Sequence, residues 1–196
     1  MTKQRSQSDD HINTSLTESI ALELELLSEI DYRHDPKPEQ REGVDALKIL
    51  IAGYGLDDFS PDPAKMALLL MRLRDLQVRD FALGCMEGKD LDKHVEMWRW
   101  VVRIAPTRFL APPATLLAAI SYEVGDVALA TSALEQALEA DSQYPLALLL
   151  KRVFAAGWPA ETFATMRTEL HPKITAAIFE ECLEERSSPI APSHGL

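Results

Sequence analysis

Six arginines, Arg72, Arg74, Arg79, Arg99, Arg103 and Arg108, fall within the middle third of an otherwise acidic chain. Guanidinium groups grip phosphates and carboxylates through paired N–H donors. A cluster of them could seat a phosphate, a nucleic acid or an acidic peptide. Arg99 and Arg103 are four residues apart and so share a helix face. The "MWRW" run at 97–100 adds Trp98 and Trp100, and an exposed tryptophan is a strong interface anchor. Arg72, Arg79, Trp98, Arg99 and Arg103 therefore form the candidate interaction surface. The competing reading is plainer. Both tryptophans pack inside a helical array, and the arginines make local ion pairs, Glu96 with Arg99 and Arg103 for instance. A third use for the arginines is to receive the acidic N-terminal segment.

Other chemistry is sparse. The five histidines, His11, His34, His94, His171 and His194, are dispersed, with no pair at i,i+4 and no HExxH spacing. His94 precedes Glu96, but without a PCxxC partner this is not a deaminase signature. Cys85 in "ALGCME" reads as a buried, inert thiol, and Cys182 lies far from it. No CxxC pair exists, which argues against a disulfide scaffold and a thiolate zinc site. Glu180, Glu181, Glu184 and Glu185 gather in "FEECLEE" near a helix C-terminus, where carboxylates oppose the dipole. That marks a fraying end or contact with a basic partner. No GxSxG, Walker or GxGxxG motif occurs. The expectation is a protein without catalytic residues, metal or cofactor.

The chain has 196 residues, of which 46% are apolar and only 8 are glycine. This composition favours helices around one sizeable core. Net charge is −11 and uneven. Residues 1–60 carry 13 acids and 6 bases, 61–110 carry 7 and 9, and 111–196 carry 11 and 5. So acidic a chain is a poor non-specific binder of nucleic acid, and only its middle third could form a basic surface. The N-terminus lacks the apolar stretch of a secretory signal, and no run is long enough to cross a bilayer. A cytoplasmic location is expected.

Residues 1–12 are polar and expected to be disordered. Residues 13–38 read as an N-terminal helix and a linker. Asn13, Thr14 or Ser15 would cap the helix, and Leu16, Ile20, Leu24, Leu27 and Ile30 would line its core face. That amphipathic helix could pack on its own domain or on a second copy, giving a homodimer. Residues 39–186 read as a helical domain and 187–196 as a disordered tail. Within the domain one helix ends near Gly53 or Gly55, and Ser60 with Pro61 starts the next. Further starts fall at Asp75, Asp126, Asp141 or Ser142, Pro159 and Pro172, and Pro106 stops the tryptophan helix. About ten helices and no strand make the fold all-α, with short joints implying antiparallel helix hairpins.

"GDVALATSALEQALEAD" at 125–141 matches one arm of the 34-residue tetratricopeptide (TPR) pattern when Ala111 is the first position. Leu117 and Ala118 take the large–small pair of its first helix, Gly125 the turn, and Ala130 and Ala137 the close-contact sites of the second. Leu134 is the large residue between them. Ser121 and Ala114 depart from the pattern, and no second copy follows. A generic alanine-rich hairpin is the alternative; the repeat reading implies a TPR-like right-handed array.

A wider likeness rests on Trp98, "RIAP" at 103–106, "APPATLLA" at 111–118, "YEVGD" and the alanines to 130, "ALEQALEAD", "YPLALLL" and "AAGWP". With "LRDLQVRDFAL" at 73–83, these resemble the C-terminal helical part of DUF4192, an actinobacterial family of unknown function. The resemblance covers about residues 60–170; those before about 40 look unlike the family, whose usual N-terminal half is missing from it. It implies an actinobacterial or actinophage source and supplies no activity and no site residues. The expected function is a non-catalytic helical adaptor that holds a protein or peptide partner in a groove. The alternative is a nucleic-acid-associated regulatory protein using the arginines.

Overall fold

In a computed structural model, residues 2–86 and 90–179 are described, residues 2–12 by their backbone alone. Among them are nine α-helices, a short 3-10 turn and no strand. The helices are α1 (Thr2–Leu24), α2 (Lys37–Gly53), α3 (Pro63–Arg72), α4 (Leu76–Gly84) and α5 (Leu91–Ile104). The turn Thr107–Phe109 leads to α6 (Ala111–Glu123), α7 (Val127–Ala140), α8 (Pro145–Ala155) and α9 (Ala160–Phe179). Glu180, Glu181, Glu184, Glu185, Cys182 and the tail at 187–196 lie outside the described residues.

Helix α6 is the centre. Every residue from Ala111 to Tyr122 is buried. A helix apolar on all sides needs neighbours on all sides, and α4, α5, α7, α8 and α9 all touch it. Helix α7 packs most extensively. Its Ala130, Ala133 and Ala137 are fully buried, and side chains this small let two helix axes approach closely. Gly125 joins the two helices at a φ of 83°, a left-handed conformation that glycine adopts without strain.

Several helix starts differ from the sequence expectation. The backbone of α1 is helical from Thr2, ahead of the expected Asn13–Ser15 caps, and stops at Leu24. Leu16, Ile20 and Leu24 form the buried stripe, while Leu27 and Ile30 follow the helix end. Helix α2 begins within the expected linker, with Pro38 in its first turn, where the missing N–H costs nothing. Helix α3 starts from Asp62, whose side chain accepts a hydrogen bond from the Ala64 N–H, rather than from Ser60. Pro63, not Pro61, is its first-turn proline. Helix α8 starts after Tyr144 with Pro145 in its first turn; Asp141 instead closes a turn by accepting from the Gln143 N–H. Asp75 and Asp126 cap α4 and α7 as expected.

Helix α9 is one helix where two were expected, and Pro172 lies inside it. An interior proline costs about 3 kcal/mol. Phe163, Arg167, Ile174 and Ile178 are buried on both sides of it, at spacings of four, seven and four. One continuous stripe packed on α2, α4 and α6 offsets the local penalty. Close approach also needs Gly84, because a Cβ there would lie 2.0 Å from the His171 ring.

Arg167 fastens α9 to two helix ends. Its side chain is 4% exposed and donates to both carboxylate oxygens of Glu123 at 3.1 and 2.8 Å. Its third nitrogen reaches the carbonyls of Leu83 and Gly84, at the C-terminus of α4. Glu123 ends α6, so the guanidinium also offsets the negative pole of α4 and fixes a carboxylate that α6 alone would not favour. Removing one partner of a buried ion pair strands the other charge. Arg167→Leu should therefore lower unfolding stability by about 3–5 kcal/mol in urea titrations. A loss below about 1 kcal/mol would show that the pair is not needed.

Candidate functional site

The structure disperses the candidate interaction surface. Trp98 is 0% exposed and belongs to the core, which removes it from any surface. Trp100 is partly buried in an aromatic cluster with Tyr54 and Phe59, ring centres 5.8 Å away from each. Arg72 is buried, donating to the Ser28 carbonyl at 2.7 Å and facing Glu42 at 3.4 Å. Arg79 is buried against Asp80 at 2.6 Å. Arg74 pairs with Glu29. Arg99 pairs with Glu96 at 3.3 Å, the local ion pair anticipated from their spacing. Arg103 is exposed and lines a polar cleft with Asn13, Thr14 and Thr17 of α1. Arg108 lies over the Phe109 ring.

Arg72 and Arg74 thus serve the third use. They hold the strap at 25–36 that follows α1, through Ser28 and Glu29. Asp75 completes the arrangement. One oxygen caps α4 by accepting from the Gln77 and Val78 N–H groups; the other accepts from the Tyr32 hydroxyl and the Gln40 amide. Partial burial of the Tyr32 hydroxyl, reinforced by the Asp75 carboxylate, pushes its pKa up to about 12. The ring itself stays open to solvent.

No group of histidine, cysteine and carboxylate side chains among the described residues could hold a metal ion. His94 is buried, and that burial, with Lys93 and Arg167 near, holds its pKa below the ordinary value against the pull of Asp90. Cys85 is half-buried at the end of α4.

A different surface stands open between α7 and α8. Between these helices lies a groove of about 350 Å³ lined by Val127, Thr131, Leu134, Glu135, Leu138, Lys151, Phe154 and Ala155. Val127, Thr131, Leu134 and Leu138 follow one another at spacings of four, three and four, one stripe of α7. Its floor is firm, because Phe154 stacks on Tyr122 of α6 at 4.2 Å with ring planes 13° apart. Tyr122 is in turn fixed by donating its hydroxyl to the Trp158 carbonyl. Val127 at the rim is 56% exposed. The alanine stripe of α7 packs on α6, so this second apolar stripe needs a second neighbour. That doubled pattern is readable in "VALATSALEQALEA", which carries none of the tryptophans or arginines of the candidate surface.

The family model described as Domain of unknown function (DUF4192) matches residues 2–161, and the chain belongs to that family. The match begins at residue 2, well upstream of the motifs that carry the resemblance, so α1 and α2 fall within it. No curated protein and no solved structure matches the chain. No helix of the described residues is long and apolar enough to cross a membrane.

The raised Tyr32 pKa gives a pH signature. An unfolded tyrosine ionises near pH 10, so the protonated Tyr32–Asp75 contact stabilises the fold fully below pH 10. That contribution is lost as pH rises from about 10 to about 12. Subtracting the tyrosinate absorbance titration of Tyr32→Phe from that of the wild type should leave one component with its midpoint near 12. A midpoint near 10 would mean that Asp75 does not hold the hydroxyl.

Proposed function

We propose that this DUF4192 member is a non-catalytic helical interaction module of the cytoplasm, which receives apolar side chains of a protein partner in the α7–α8 groove. The observation that carries this reading is the groove itself. Its lining is apolar, its floor is braced by the Tyr122–Phe154 stack, and one carboxylate and one ammonium flank it. Interfaces gain most of their affinity from such apolar pockets with a polar rim. The reading places residues 111–144 in a TPR-like right-handed array, with the buried Ala118, Ala130 and Ala137 at the close-contact positions of that pattern.

The nucleic-acid reading requires the central arginines side by side at the surface. Arg72 and Arg79 are buried, and Arg74 and Arg99 are held by carboxylates, so no observation favours it.

A photo-crosslinking amino acid at exposed position 131 tests the groove in lysate from the native host. The expected outcome is a discrete crosslinked protein, lost when Val127→Glu and Ala155→Glu place charges on the rim. Diffuse labelling that ignores those two changes would overturn the reading.

A further inference from the structure

We propose that the occupant of the α7–α8 groove is a second copy of this chain, docked groove to groove about a two-fold axis. The proposal rests on the reading of that groove as partner-facing, and it names the partner. Its starting point is the charge on the rim. Glu135 stands on α7 and Lys151 on α8. Other pairs along the chain find each other, Lys48 with Asp45 and Arg99 with Glu96 among them. No ion pair among the described residues includes Glu135 or Lys151.

A two-fold interface is isologous: if residue i of one copy meets residue j of the other, j also meets i. A patch suited to it must complement itself. One anion and one cation flanking an apolar strip have that property. Laying α7 of one copy along α8 of the other brings Lys151 to Glu135 of the partner subunit, and the same pair recurs across the axis. Between the two ion pairs, the apolar side chains of each groove close on those of the other. Val127, 56% exposed, and the partly buried Leu138 and Phe154 then gain neighbours beyond those that the described residues of the single chain supply, above the buried Leu134.

The charge balance of the patch also bears on which partner fits. The chain carries a net charge of −11, so two copies repel at long range. Association is therefore confined to a region where like charges do not face each other. The groove rim, with one carboxylate and one ammonium and so neutral overall, is such a region. A strongly acidic or strongly basic partner would satisfy only one of its two charges.

Sedimentation equilibrium of the full chain, from about 1 to about 300 µM, tests the proposal. Wild type should show a monomer–dimer equilibrium within that range. Lys151→Glu and Glu135→Lys, each made singly, put two like-charge contacts across the axis and should weaken dimerisation by roughly tenfold or more. The double variant Lys151→Glu with Glu135→Lys re-creates both pairs and should return to within about threefold of wild type. Both positions are exposed, and helical circular dichroism checks that each of the three variants is folded. A wild type monomeric throughout, a dimer indifferent to the single changes, or a double variant that fails to recover would each overturn the proposal. The crosslink from position 131 separates the two claims. A monomeric protein whose crosslink joins it to a different protein loses only the self-association. A protein that crosslinks to nothing discrete loses the interaction reading as well.

Discussion

The Asp75 carboxylate is the point on which the N-terminal half of the molecule depends. It is 5% exposed, yet its two oxygens take four hydrogen bonds. A buried carboxylate is tolerable only when its acceptor sites are filled. Here the filling groups come from three places: the first turn of α4, the Gln40 side chain of α2, and Tyr32 of the strap. Satisfying one charge therefore fixes three segments relative to one another. Arg72 extends the arrangement, holding the Ser28 carbonyl and Glu42 beneath the same strap. Gly43 makes this approach possible, because a Cβ there would stand 2.5 Å from the Cβ of Arg72. Helix α1 then docks its Leu16, Ile20 and Leu24 stripe on its own chain, in contact with α3 and α5.

The basic middle third takes on a different meaning in that light. Read along the chain, six arginines suggest a surface that meets something else. In space, four of the six meet carboxylates of the chain itself, and two of these, Arg72 and Arg74, tie down a distant segment. Arg72 and Arg74 face the strap, Arg79 faces the adjoining Asp80, and Arg99 faces Glu96 on its own helix. A surplus of positive charge inside an acidic chain is in large part a set of internal counter-ions. Arg167 works in the same way outside the middle third, tying α9 to the ends of α4 and α6. The partners of Arg72 and Arg167 lie 30 or more residues away, and no local spacing announces them.

The all-helical class and most of the helices were legible because alanine and leucine recur at helical spacing between glycines, prolines and capping aspartates. Asp75 and Asp126 cap their helices, and Gly55, just past the end of α2, and Gly125, past the end of α6, take the left-handed conformation that their chemistry suggests. Boundaries are ambiguous where two signals of the same type stand close together. Ser60-Pro61 and Asp62-Pro63 both read as cap and first-turn proline, and only packing chooses the second. Pro172 reads as a helix start because an interior proline is locally costly, but burial on either side of it carries α9 through. The candidate site was less legible than the fold. Trp98 has the chemistry of an interface anchor, but its place on α5 points it into the core. The groove, by contrast, is built from unremarkable residues. It becomes visible only when α7 is seen to carry two apolar stripes and α6 to cover one.

Burial around α6 explains why the open surface lies where it does. Five helices surround α6, and α7 spends its smallest side chains reaching it. With Ala130, Ala133 and Ala137 drawn inward, the larger Leu134, Leu138 and Val127 are turned towards the next helix in the chain. Helix α8 is only 11 residues long and ends at the Gly157 turn, so it covers α7 incompletely. Chain direction is then taken away from the gap, since α9 packs on α2, α4 and α6 rather than over α7. The same close packing at the centre of the molecule thus leaves the α7–α8 edge open among the described residues. A rigid floor beneath an uncovered apolar edge is what a docking surface requires, since little ordering has to accompany binding.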